Sequence, residues 1–344
     1  MKMENYSVEG RVGEGAHGLV LMAKHLPTGK QVALKKVLLK KIDDGIPNSV
    51  VREIKALQEI DCKFVMKLLD FFPHGVGFIL VFDFMPSGLW EMIHDMDNKL
   101  QDGQIKSYMQ MLLKGVAYLH DHSIMHRDLK PANLLVSASG ILRIADLGLS
   151  RVVWSGANSG HNSRPYSHQV ATRWYRAPEL LYGARQYSYA IDLWAVGCIL
   201  AELNNSSPLF PGETDIDQLA IVLRGLGTPT EAIWPGLTTL PDYNKISFPP
   251  ARPLPWSTLL PDSSSALVDL AKHLLVYDAD RRLTASQALE HSYFFTAPLP
   301  VPLSEMPHPP SDHRQRLKAR EISSYSVDKP MTNDLKSLQL YLSD

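Results

Sequence analysis

The strongest constraint on the fold is a change of character near residue 85. Upstream, short β-branched and alternating runs dominate: YSVEG, LVLMAK, QVALKKV and FILVFDF, with the turn PTGK (27–30) joining the second to the third. They predict a small antiparallel sheet. One helix interrupts it, starting near Pro47 with Asn48 or Ser49 as cap and carrying Val50, Val51, Ile54 and Leu57 at helical spacing. After MPSGL (85–89) the apolar period becomes helical. Tyr108, Met111, Leu112, Gly115, Val116 and Leu119 predict a helix from about 104 to 120, and IDLWAVGCILAEL and SSALVDLAKHLLV predict two more. The chain therefore reads as α+β, with a small β-rich part (1–85), a larger mainly helical part (86–295) and a tail (296–344). The tail's APLPVPLSEMPHPPSD is proline-rich and reads as extended or disordered.

Charge and cysteine usage exclude several classes. With 344 residues and 45% hydrophobic content, the chain can bury a sizeable core. Its 35 Lys+Arg against 36 Asp+Glu give no bulk reason to expect nucleic-acid binding, so any anion site must be local. Cys62 and Cys198 lack metal-ligand spacing and read as reduced packing residues. No run approaches the about 18 apolar residues of a membrane span, and MKMENYSVEG has no apolar signal core. The expectation is an intracellular protein without membrane insertion.

Four short stretches carry chemistry. HRDLKPANLL (126–135) follows directly on the helix predicted to end near 120, and LLV (134–136) and ILRI (141–144), separated by the turn SASG, predict a hairpin whose second strand ends at Asp146. Asp128 and Asp146 are thereby expected to face one cleft, with Asn133 as a further oxygen donor of the kind Mg²⁺ prefers. GEGAHGLV (13–20) is a GxGxxG pattern, which by itself is more often a hairpin turn. Here it is flanked by strand-like runs rather than opening a helix, which suits a glycine-rich flap over nucleotide phosphates. VALK (32–35) places Lys35 in an apolar run, where a lone lysine would be an edge or snorkelling residue, and Glu53 on REIKAL offers it a partner.

Taken in order, GEGAHGLV, VALK, HRDLKPAN, DLG, APE (177–179) and DLWAVG (192–197) resemble the eukaryotic protein kinases, from about residue 6 to about 295. The resemblance implies a bilobal protein kinase fold and ATP with Mg²⁺ as cofactors. It also implies roles. Val12, Gly13, Glu14, Gly15, Ala16, His17, Gly18, Leu19 and Val20 would cover the nucleotide. Lys35, held by Glu53, would contact its α- and β-phosphates, and the backbones of Asp83 and Met85 would receive adenine beneath Phe82. Asp128 would orient the acceptor hydroxyl, Lys130 would steady the γ-phosphate, and Asn133 and Asp146 would hold magnesium. Lys130 with Thr172 matches the serine/threonine branch.

Finer likeness lies in PNSVVREIKAL (47–57), YSHQVATRWYRAPE, GETDIDQL and LPDYNKISF (240–248), which resemble the CMGC group and its cyclin-dependent kinase family. GEGAHG, DGIPN, KGVAYLH and HSYFFTAPLP are most similar to the cell-cycle-related branch of that family. This implies protein substrates with Ser or Thr followed by proline, a cyclin-like activator, and a role in cell-cycle or cilium signalling, including activation of other kinases. The implied location is cytoplasm and nucleus, with the cilium added by resemblance. A mitogen-activated kinase is the nearest rival, but no Thr-x-Tyr pair occurs between Asp146 and Glu179. The rival class is a pseudokinase that binds nucleotide without phosphoryl transfer; the complete motif set weighs against it.

Two departures and one regulatory site complete the reading. Leu147 follows Asp146 where most of the family has Phe, and Gly88 stands where many cyclin-dependent kinases have a polar or acidic residue, which leaves ribose contacts from that position open. Ala16 and His17 occupy the positions of an inhibitory Thr-Tyr pair, so phosphorylation of the glycine loop is not expected. Ser167 in PYSHQV sits where related kinases carry the activating phosphate, with Arg52, Arg127 and Arg151 as its expected readers.

Overall fold

The structure, a computed structural model, describes residues 3–15, 18–38, 54, 57–75, 77–147, 151–152 and 173–314. The upstream runs form one five-stranded antiparallel sheet: β1 (Tyr6–Gly15), β2 (Gly18–His25), β3 (Gln31–Leu38), β4 (Leu68–His74) and β5 (Gly77–Asp83), in the order β1-β2-β3-β5-β4. The turn after β2 closes at Gly29, whose φ of +68° is the left-handed backbone that glycine adopts without a Cβ clash. Sequence reading missed β4. LLDFFPH lacks clean alternation and contains Pro73, but Pro is tolerated on an edge strand because one side of the ladder carries no partner, and β4 is that edge. The predicted helix before β4 is described only at Ile54 and Leu57–Glu59, which are helical; Val50 and Val51 lie outside the described residues. Ile54 and Leu57 are buried.

Beyond the sheet the chain becomes helical as expected. Helix α1 (Leu89–His94) opens it, and α2 (Asp102–Asp121) extends slightly past the predicted 104–120 at both ends. A capping box fixes the start of α2, where the Gln101 and Gln104 side chains each bond the other's backbone. Helices α3 (Ala190–Asn205), α4 (Asp215–Leu226) and α5 (Ser265–Leu274) follow. Thirteen residues of α3 are buried, so it runs through the core rather than along it. One large hydrophobic cluster spans this lobe, whereas Ala23, Val32, Leu34, Phe72, Ile79 and Val81 form a separate small cluster in the sheet. A β-rich lobe and a helical lobe agree with the expected α+β class.

A hairpin links the lobes' chemistry. Strand β8 (Leu134–Val136) pairs with β9 (Leu142–Ile144) as the predicted hairpin, although β9 stops at Ile144 rather than reaching Asp146. Asp146 has a φ of +63°, a left-handed conformation that cannot continue a strand. The short strand β6 (Ser87–Gly88) joins the same sheet, and β7 (Ile124–Met125) pairs with β10 (Arg151–Val152). The tail as far as residue 314 lies against the helical lobe, with a short 3-10 turn at Leu303–Glu305, a second turn at 311–312 leading into helical 313–314, and Met306 and His313 buried.

Candidate active site

The 126–133 loop is organised by a buried carboxylate from another element. Asp192, at the start of α3, accepts hydrogen bonds from the backbone N–H of His126 at 2.9 Å and of Arg127 at 2.8 Å, and its Oδ2 lies 2.9 Å from His120 Nε2. Burial alone would raise this carboxyl, but the His120 contact and the donated N–H groups outweigh it and hold Asp192 below the usual carboxylate range. The bend this imposes is visible at Arg127, whose φ is +72°. His126 is fully buried; its Nε2 donates to the Ala145 carbonyl at 3.0 Å and its Nδ1 accepts from Asp128 N–H at 3.3 Å. One imidazole thus ties the loop to the residue before Asp146.

Within the loop the charged groups converge. Asp128 Oδ2 accepts from Lys130 Nζ at 2.9 Å and from Asn133 Nδ2 at 3.0 Å, and Asn133 Nδ2 also donates to the Asp128 carbonyl at 2.8 Å. The Asn133 amide nitrogen is therefore committed, which turns its hard carbonyl oxygen toward other partners. From across the cleft, Lys35 Nζ reaches Asp146 Oδ1 at 2.7 Å, with both side chains mostly buried. Lys35 stands opposite Val20 and Leu80 in the sheet, so the strand register aims it at the helical lobe.

The remaining expected residues fall in three groups. Val12, Gly13, Glu14, Gly15, Gly18, Leu19 and Val20 lie on the paired strands β1 and β2, with Gly15 opposite Gly18, so the described glycines of GxGxxG belong to strands and open no helix. Phe82, Asp83 and Met85 lie at the end of β5 and just beyond it; Met85 is buried, and Asp83 Oδ2 accepts from Arg143 Nη1 at 2.7 Å. Ala16, His17, Arg52, Glu53, Ser167 and Thr172 lie outside the described residues, so the Lys35–Glu53 pair and the Ser167 cluster are not on view. Arg127 places its guanidinium 5.7 Å from the Tyr187 ring centre, and β10 brings the Arg151 backbone beside Met125.

Two supports escaped the sequence reading. Glu179, the acid of APE, forms a bidentate buried pair with Arg282 at 2.7 and 2.8 Å, although 103 residues separate them. Asp215 receives both Arg173 and Arg176, and Trp174 Nε1 donates to the Gly212 carbonyl at 3.1 Å, which ties RWYR to GETD. The advance signals for Asp192 were the DLWAVG motif and a carboxylate inside the apolar run IDLWAVGCILAEL, where an unpartnered charge would be costly. Arg282 had none.

Comparison with known proteins agrees with this geometry. The protein kinase domain model matches residues 6–294. The chain belongs to the protein kinase family. It is 57% identical over 331 residues to cyclin-dependent kinase 20 of Danio rerio, covering 96% of this chain and 95% of that one. It is 55% identical over 343 residues to cyclin-dependent kinase 20 of Homo sapiens, covering 98% of each. Cyclin-dependent kinase D-1 of Oryza sativa subsp. japonica is 44% identical over 299 residues, covering 87% of this chain and 69% of that protein. The chain is thus a protein serine/threonine kinase of the cyclin-dependent type, in the CMGC group and near its cell-cycle-related branch. Protein kinases as a family use ATP and Mg²⁺, and cyclin-dependent ones act on proteins under cyclin-type regulation. Among the described residues, no helix is long and apolar enough to cross a membrane.

Proposed function

We propose that this kinase phosphorylates Ser or Thr followed by proline, with Asp128 as the residue that receives the acceptor hydroxyl. The observation that carries the reading is the Asp128–Lys130–Asn133 cluster, joined through His126 and Ala145 to the Lys35–Asp146 pair. Asp128 Oδ2 is occupied by two donors, which presents Oδ1 to an incoming hydroxyl and keeps the carboxylate from rotating. Lys130 supplies positive charge beside that oxygen, where the transferring phosphate develops negative charge. Asn133 and Asp146 offer an amide and a carboxylate oxygen, a hard donor pair suited to Mg²⁺, which when bound neutralises the triphosphate. Lys35 then has the phosphates as its alternative anionic partner to Asp146, and Asp83 and Met85 offer backbone to adenine.

Proline preference is argued from the shelf at 173–179, fixed by Asp215 and Arg282, because a rigid apolar shelf disfavours a residue whose N–H needs a partner. Ser167 is proposed as the activating phosphosite, read by Arg52, Arg127 and Arg151; a cyclin-like partner, activation of other kinases and a ciliary role belong to the same reading. A peptide library tests it. Preference for Ser/Thr-Pro is expected, and indifference to proline or preference for tyrosine would remove the claim.

A further inference from the structure

Gly88 is the starting point, because its backbone does not require glycine. Its φ of −139° and ψ of 170° are extended values open to any residue. What crowds the position is two side-chain ends: a Cβ there would lie 2.6 Å from Glu91 Oε2 and 2.9 Å from Arg314 Nη2, with the Leu134 carbonyl at 3.2 Å. Glu91 rises from the first turn of α1, and Arg314 arrives from the C-terminal tail. Arg314 Nε lies 3.0 Å from Glu91 Oε1 and its Nη2 donates to the Ser87 carbonyl at 3.0 Å. The preceding residue locks the same spot, with His313 Nδ1 2.7 Å from Ser87 Oγ and Nε2 3.3 Å from Asp95 Oδ2.

The segment that delivers Arg314 is strapped down along its length. Lys106 Nζ donates to the Thr296 carbonyl at 2.7 Å, Ser107 Oγ to the Val301 carbonyl at 2.8 Å and Gln104 Nε2 to the Glu305 carbonyl at 2.9 Å. Two more glycines clear its path. A Cβ on Gly103 would meet the Leu299 carbonyl at 2.9 Å, and one on Gly140 would meet Met306 Cβ at 2.8 Å. Three glycines and three side-chain donors along one segment describe a built seat.

We propose that Glu91 accepts the ribose hydroxyls of the bound nucleotide in place of a side chain at position 88, and that the 297–314 strap positions it through Arg314. The inference rests on the nucleotide-binding reading above. With adenine at Asp83 and Met85 and phosphates at Lys35, Asn133 and Asp146, the sugar must lie between the hinge end and the catalytic loop. Gly88 pairs with Leu135, two residues past Asn133, so the carboxylate held over Gly88 stands in that interval. Glu91 Oε1 faces Arg314, while Oε2 takes no hydrogen bond from the described residues. A carboxylate accepting from hydroxyls makes charge-assisted bonds, stronger than neutral ones. Arg314 is a positioning residue here, fixing the acceptor without touching the sugar.

The test measures binding and KM of ATP, 2′-deoxy-ATP and 3′-deoxy-ATP, with Mg²⁺, on the full chain. Wild type is expected to favour ATP over the deoxy analogues by about tenfold, the size of one charge-assisted hydrogen bond. Glu91→Ala should erase that ratio by weakening ATP alone, and Arg314→Met should narrow it. Gly88→Asp added to Glu91→Ala should restore it, because a carboxylate then returns from position 88 itself. If Glu91→Ala and Arg314→Met weaken all three nucleotides equally, or leave the ratio intact, the latch is structural only and the proposal fails while nucleotide binding stands. If the wild type binds none of the three nucleotides, the function proposed above fails together with this inference.

Discussion

The catalytic loop and the sheet above it hold their charged residues by opposite means. In the loop, position is enforced from below: the fully buried Asp192 and His126 grip four backbone groups, and the large core surrounds them. In the sheet, Lys35 stands on a strand backed by a small cluster of six side chains, and its partner among the described residues, Asp146, lies across the cleft. On the roles proposed above, the groups that must keep a fixed geometry during bond making thus sit on the lobe with the large core, whereas the group that need only follow the phosphates sits on the lighter one. The glycine flap continues that lighter lobe, and its proposed task is coverage.

Removing the grip from below should produce the largest effect. Asp192→Ala leaves two backbone N–H groups and His120 without their acceptor; a stability loss of about 3–5 kcal/mol is expected. Turnover should fall by on the order of 10²-fold as the loop loses register. Denaturant melts and a kinase assay read both. Acid sharpens the point. Because Asp192 titrates below its ordinary value of 3.8 when folded, its contribution is complete above that pH and is lost as the pH falls below it. The Asp192→Asn protein should therefore show a flatter acid limb in stability against pH.

Arg282→Met comes next. It strands Glu179 as a buried charge, so about 3–5 kcal/mol should be lost in a thermal or denaturant melt. Nucleotide affinity should change little, because the pair lies under the substrate shelf. At the small end, Lys67→Ala removes an exposed pair with Asp61 in the link to β4. The melt should not move measurably, since solvent screens such pairs. A large loss there would break the comparison, because the light lobe would then depend on surface charge.

Sequence reading succeeded where the physics is local. HRDLKPAN carries Asp128, Lys130 and Asn133 within a few residues, which the structure brings into hydrogen-bond contact, and the β8–β9 hairpin follows from one turn and two apolar runs. It failed where a contact joins distant segments through groups that side-chain patterns do not announce. Arg282 and Glu179 each look like an ordinary surface charge in sequence. The strap looked unpacked because its contacts use its own carbonyls, at Thr296, Val301 and Glu305, and gaps at Gly103 and Gly140. Strand β4 was hidden by Pro73, which marks an edge position and not the absence of a strand.

The central claim is that Asp128, fixed by Lys130 and Asn133, serves phosphoryl transfer to a hydroxyl. The most direct measurement is phosphate transfer from Mg-ATP to a Ser/Thr-Pro peptide by the full chain with a saturating cyclin-like partner, wild type beside Asp128→Asn. Turnover is expected to drop by about 10²–10⁴-fold in the variant, with nucleotide affinity within about twofold of wild type. Wild-type protein that binds the nucleotide but leaves every peptide unphosphorylated, or an Asp128→Asn protein as active as wild type, would contradict it.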